Sequence, residues 1–294
     1  MIQYNPKNWF GLIFKFHKSD TFRQMSWVLV CFAICTAGLV YAELHFQQLY
    51  IFSNTIQIHS LLGFVIGLLL VFRTNSAYDR WWEGRKQWGA MVNNCRNFAI
   101  KIDSMLPTQD KNSRALYQHL IPNYVFALKE HLREGVILEE IKPSEYLSRE
   151  ELNSKEHIPN YIAQKMYRKL QELYRDKTIS GNQLITIDRE LNAFTDILGA
   201  CERIRNTPIP FSYNLFLKKF IFVYTLTLPF GLAHDFHYWT VPIATFVLYI
   251  FGSLELLAEE IEDPFGRDTN DLDTDGLATK IEANVIEILG VQPK

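Results

Sequence analysis

The 294-residue chain lacks nearly every pattern from which an enzyme is recognised. It has no GxSxG, HExxH, P-loop or GxGxxG, so the nucleophile elbow, the zinc-protease helix and the phosphate-cradling glycine loops are all missing. No Glu-x-x-His pair occurs, which removes the inward-facing motif of the di-iron helical bundles. There is no excess of one charge: 30 basic against 32 acidic residues leave a formal net of -2, and no global field recruits nucleic acid or anionic lipid. The four cysteines, Cys31, Cys35, Cys95 and Cys201, show no CxxC spacing, which excludes a disulfide framework or a cysteine zinc site. They read as small buried hydrophobes in a reducing compartment. No repeat recurs at a fixed period. With 48% hydrophobic residues and a mean hydropathy of -0.06, any membrane part is a minority of the chain.

What is present begins with runs free of Asp, Glu, Lys and Arg. Residues 24–42, 44–72, 220–234 and 236–254 each lack all four, and the last pair is parted by Asp235 alone. A run of about 20 residues matches one hydrocarbon thickness as helix. Glu43 and aromatic residues follow the first run where a cleavage site would need small ones, so it reads as a retained span, not a removed signal. Taken as two hairpins, the runs give two helical pairs. Lys7, Lys15 and Lys18 precede the first, Arg73 to Lys86 follow the second, and Arg203, Arg205, Lys218 and Lys219 precede the third. The outer turns, near 44–53 and 233–240, hold no Lys or Arg. The positive-inside rule then places both termini and the long middle segment in the cytoplasm.

The stretch VFRTNSAYDRWWEGRKQWG, residues 71–89, crowds rings and charges at the end of a greasy helix. Trp81, Trp82 and Trp88 suit the interface where a helix leaves lipid, while Arg73 and Arg80 extend to headgroups or pair with acids. No Pro occurs from 54 to 104, so one helix can run from membrane into cytoplasm. Residues 90–207 are helical in pattern. LYQHLIPNYVFALKEHL and YIAQKMYRKLQELYR carry apolar residues at three and four spacing, separated by a polar stretch holding Pro143 and the cap candidates Ser144 and Ser148. Pro208 and Pro210 form a hinge back to the membrane. The acid-rich tail breaks at Pro264 and Gly266, then resumes helical spacing through Ile281, Val285 and Ile288.

Several constellations remain open between two readings. Gly63 and Gly67 sit one turn apart, a spacing that lets helix backbones approach. Phe64, Leu68 and Phe72 form a neighbouring stripe, which is either a lipid or core face or, repeated around an axis, a hydrophobic gate. His234 and His237 flank Asp235 and are a weak zinc pair or exposed loop histidines. Asp271, Asp273, Asp275, Gly276 and Glu282 satisfy the DxDxDG-x5-E calcium-loop pattern without an entering helix, so they bind calcium or form an acidic turn capping the last helix. Glu255 and Glu259, one turn apart, concentrate cations near a mouth or face water.

FRTNSAYDRWWEGRKQWGAMVNNCRN, GACERIRNTPIPFSYN and AEEIEDPFGRDTNDLDTDGL, in this order, make the chain resemble the bestrophin family, close to its bacterial branch. The resemblance implies an all-α integral membrane protein, a homopentameric ion channel with four transmembrane helices per subunit, a large cytosolic helical bundle and one axial pore. It implies a neck of three apolar residues, which match back from the FR of VFRTN to Phe64, Leu68 and Phe72, and a cytosolic aperture at or beside Ile185. The animal members' calcium clasp is a run of acids after PFG. Here the run reads Arg267, Asp268, Thr269, Asn270, Asp271, with two acids. Animal members conduct anions whereas a bacterial relative can pass cations.

The expectation is therefore a multi-pass channel of the inner membrane with no catalysis and no required cofactor. Its partners are its own copies, lipid and monovalent ions, sodium slightly favoured over chloride, and no nucleic acid. The segments are 1–23 cytosolic, 24–82 the first two spans with the neck, 83–210 the cytosolic bundle, 211–258 the last two spans and 259–294 the acidic tail. Calcium or zinc binding would fall to Asp268, Asp271, Asp273, Asp275 and Glu282. The competing classes are a peripheral or soluble helical metal-binding protein and a membrane scaffold that conducts nothing.

Overall fold

The computed structural model describes residues 21–45, 56–133 and 135–290. Lys7, Lys15 and Lys18, and the outer turn over 46–55, lie outside the described residues. Within them the secondary structure is helical, with a single isolated bridge between Ser144 and Leu147 and no strand. Three stretches, Thr21–His45, Ile56–Met105 and Phe211–Glu262, are long and apolar enough to cross a membrane.

The chain forms two compact units. The first takes residues up to Trp81, then Pro208–Asp263 and Asp268–Asn270. It contains α1 (Thr21–His45), the first half of α2 (Ile56–Met105), α7 (Phe211–Phe236) and α8 (Thr240–Glu262). With no proline to remove a ladder hydrogen bond, α2 runs 50 residues unbroken, about 75 Å at 1.5 Å per residue. Between α7 and α8 the 3-10 turn His237–Trp239 reverses the chain, with His237 at φ 50. The unit's core joins Ile66 and Leu70 of α2 to Leu217, Ile221, Tyr224, Leu228 and Leu232 of α7 and Ala244 of α8.

The second unit holds Trp82–Thr207, Pro264–Arg267 and the chain from Asp271. It contains the rest of α2, then α3 (Lys111–His131), α4 (Arg149–Asn153), α5 (Ile158–Arg175), α6 (Gly181–Asn206) and α9 (Thr274–Leu289). Trp88, Met91, Cys95, Phe98 and Ile102 of α2, spaced three and four apart, are all buried. Phe98 meets Tyr117 of α3 and Phe194 of α6 edge to face, with ring centroids 5.4 and 5.7 Å away. The Tyr124 hydroxyl donates to the Phe194 carbonyl at 2.7 Å and that of Tyr117 to Met166 at 3.2 Å, so these buried phenols keep partners. Ser148 and Ser180 open α4 and α6 with capping boxes to Glu151 and Gln183.

Two expectations are corrected here. Trp88 is 1% exposed and belongs to this core, not to a lipid interface, because it starts the apolar stripe just described. Of the cysteines, Cys95 and Cys201 are buried, but Cys31 is half-buried and Cys35 exposed on α1.

Candidate pore face and charged clusters

The two faces of α2 in the first unit differ in what they touch. Ile66, Leu70, Arg73 and Ala77, at spacings of four, three and four, are buried. At 100° per residue, Phe64 and Leu68 point about 160° away from Ile66. They and Phe72 are 71%, 47% and 56% exposed in the single chain. A helix that packs one apolar face inside its own unit and presents a second one outward is built to meet lipid or another copy.

What fixes that orientation is a charge cluster beside Phe72. Arg73 is 1% exposed, its guanidinium 2.7 Å from Glu262 Oε2 and 3.6 Å from Glu255 Oε2 of α8. Glu262 also accepts the Ile209 N–H at 2.7 Å, and its carbonyl accepts Arg80 Nε at 3.1 Å. Trp81 Nε1 donates to the Asn270 carbonyl at 3.0 Å. Arg73 therefore pairs with acids, and Arg80 is held by a backbone carbonyl. Glu255, expected near a mouth or in water, is buried against Arg73, and Glu259 pairs with Lys218 at 2.9 Å. Glu255 thus does not face a mouth or water, whereas the Glu259 side chain is 54% exposed and faces water beside Lys218.

The two glycines differ as well. A Cβ on Gly63 would lie 2.7 Å from the Tyr224 hydroxyl oxygen, so here α2 and α7 approach closely, whereas one on Gly67 would meet nothing within 4 Å. In the second unit Ile185, near the start of α6, is 68% exposed.

The calcium-loop reading fails on geometry. Because α9 begins at Thr274, Asp275, Gly276 and Glu282 are helical, and Asp275 and Glu282 stand about 10 Å apart along the axis, too far to share one ion. Asp273 caps α9 by accepting the Gly276 N–H at 3.0 Å, as the alternative reading had it. Asp275 takes hydrogen bonds from Arg133 at 2.8 Å and Lys129 at 2.6 Å, and Glu282 pairs with Lys142. Asp271 is buried and Asp268 exposed. The five acids do not converge on one ion.

Sequence patterning missed two clusters. Among the described residues, groups of three metal-capable side chains occur at Glu130, Glu140 and Asp275, and at His131, His157 and Glu202. His234 and His237 belong to neither. The first group is neutralised by Lys129, Arg133 and Arg267. Their sequence separations gave no local signal.

The described residues, helical throughout their regular structure, with three apolar stretches of spanning length and outward apolar faces, have the build of a membrane protein. A sequence profile described as bacterial/fungal bestrophin protein matches residues 1–287, and the chain belongs to that family. It is 35% identical to a voltage-dependent anion channel-forming protein of Synechocystis, over 98% of this chain and 94% of that one. It is 32% identical to the voltage-dependent anion channel-forming protein YneE of Escherichia coli K12, over the same shares. The crystal structure of a bacterial bestrophin homologue from Klebsiella pneumoniae superposes with a TM-score of 0.83 at 28% identity, covering 92% of this chain and 100% of that chain.

Proposed function

We propose that the chain is an ion channel of the bacterial inner membrane, assembled as a homopentamer around one axial pore. The observation that carries this is the exposed Phe64, Leu68 and Phe72 stripe, held on the face of α2 opposite its packed face. Five copies of that stripe around an axis make stacked apolar rings, which gate ions by excluding water. In this reading the first unit lies in the membrane as four spans in two pairs, with α7 and α8 forming the second pair. The second unit is cytosolic, as are both termini, by the positive-inside rule. Ile185 forms a second, cytosolic constriction.

Permeating ions are small and monovalent. With Glu255 buried and Asp275 neutralised, neither of these two acids serves as a charge filter. The slight preference for sodium over chloride then rests on the negative faces of the Phe64 and Phe72 rings, which attract cations by about 0.5–1 kcal/mol when exposed. The names of the curated relatives point the other way, to anions. A reversal potential under a NaCl gradient decides: a value toward sodium equilibrium supports the ring assignment, and one toward chloride overturns it. Truncating Phe64, Leu68 and Phe72 together to Ala is expected to raise single-channel conductance in planar bilayers. Unchanged currents from intact assemblies would remove the neck from this stripe.

A further inference from the structure

His131 at the last position of α3, His157 at the N-cap of α5 and Glu202 near the end of α6 come from three separate helices of the second unit. Nε2 of His131 lies 2.7 Å, and Nε2 of His157 2.9 Å, from the same oxygen, Glu202 Oε1. The two rings are 4.4 Å apart. All three side chains are between 23% and 33% exposed, so water reaches them. We propose that His131, His157 and Glu202 form a binding site for one divalent transition-metal ion of the zinc class, completed by water in the fourth position.

Two imidazole nitrogens and one carboxylate oxygen are a zinc donor set, and the imidazoles select against calcium and magnesium, which take oxygen. Tetrahedral bonds of about 2.0–2.1 Å separate ligand atoms by about 3.3–3.4 Å. The three atoms must therefore part by about half an ångström, which partly exposed side chains can do by rotation. His157 Nδ1 accepts the Asn160 N–H at 3.3 Å, so Nε2 carries the proton offered to Glu202. For a metal to bind at Nε2 the ring proton moves to Nδ1, and the Asn160 contact, a long one for a cap, is given up. The Arg205 guanidinium is held by the carbonyls of His131 and Arg133. The other acidic group, around Glu130, has its own cations and offers no such place.

The site does not depend on conduction, and neither does its test. The full-length protein, purified in detergent and stripped with chelator, is titrated with zinc alone by calorimetry, and zinc retained after desalting is counted. One ion per chain and a rise in Tm with zinc are expected. His131→Gln with His157→Gln keeps hydrogen-bond donors toward Glu202 and should abolish both signals, while Glu202→Gln should weaken binding at least tenfold. Circular dichroism checks that each variant is folded; if the double variant is not, Glu202→Gln decides by the same criterion. Wild-type protein that retains no zinc and shows no Tm rise, or folded variants that bind as the wild type does, would overturn the assignment.

Discussion

Arg73→Met isolates the contact that holds the outward face of α2 in place. Arg73 sits beside Phe72, almost fully buried, with two carboxylates whose side chains are only 6% and 10% exposed. Methionine matches the stem of the side chain but leaves Glu255 and Glu262 facing each other without a cation. Removing one partner of a buried pair costs about 3–5 kcal/mol, chiefly from the charge left behind. At about 2–4 °C per kcal/mol for a protein of this size class, the fall in Tm is roughly 6–20 °C. The assay is thermal unfolding in detergent, followed by tryptophan fluorescence and helical circular dichroism. Glu262→Gln should cost more than Glu255→Gln, because Glu262 makes the 2.7 Å contact and Glu255 only the 3.6 Å one. Combining Arg73→Met with both glutamine substitutions leaves no buried charge and should recover at least half the loss, since the amide oxygen introduced by Glu262→Gln can still accept the Ile209 N–H. A fall of under about 1 kcal/mol for Arg73→Met, or no recovery in the triple variant, refutes this account of the cluster.

Gly63→Ala drives its methyl group toward the Tyr224 hydroxyl and should cost about 1–3 kcal/mol, relieved by adding Tyr224→Phe, whereas Gly67→Ala should cost nothing in dissociated protomers; thermal unfolding separates the two. Gly84→Ala, whose Cβ would lie 3.0 Å from Pro264 and 3.1 Å from Phe265, should lose about 1–3 kcal/mol by the same assay, because a proline ring cannot swing aside; an unchanged Tm counts against this packing. Asp275 is held at about 2, below its ordinary 3.8, first by the Arg133 hydrogen bond and also by Lys129, against the opposing effect of burial. A depressed carboxyl adds stability above its unfolded value and loses it as pH falls through the folded one. Asp275→Asn should therefore lower Tm from pH 7 down to about 4, with the gap closing toward pH 2. A gap independent of pH would sink the ion-pair assignment.

Local chemistry was legible and long-range pairing was not. The absence of proline between 54 and 104 foretold the 50-residue α2, and Ser148 caps its helix as its spacing suggested. The outward stripe at 64, 68 and 72 was visible as a period, although periodicity alone cannot say which face is packed. Trp88 was misplaced because its flanking charges resemble an interface, yet the signal was available: Met91, Cys95, Phe98 and Ile102 continue from it as a core stripe. The acidic tail misled because carboxylate spacing matches a calcium loop whether or not Lys129, Arg133 and Lys142 stand opposite. Those cations, like the partners of Arg73, lie far away along the chain, and no local pattern marks them.

That separation has a consequence for synthesis. Glu255 and Glu262 follow Arg73 by about 180 residues. At roughly 5–20 residues per second, the ribosome needs on the order of 10–40 s to deliver them. For that interval the nascent α2 carries an arginine whose permanent partners do not yet exist, and an unpaired charge in hydrocarbon is expensive. With α2 placed in the membrane as proposed above, the half-made helix would keep Arg73 near water or headgroups until α8 arrives. Maturation of this protein ends at its carboxyl side, and a chain stalled after α7 is expected to be a substrate for membrane quality control.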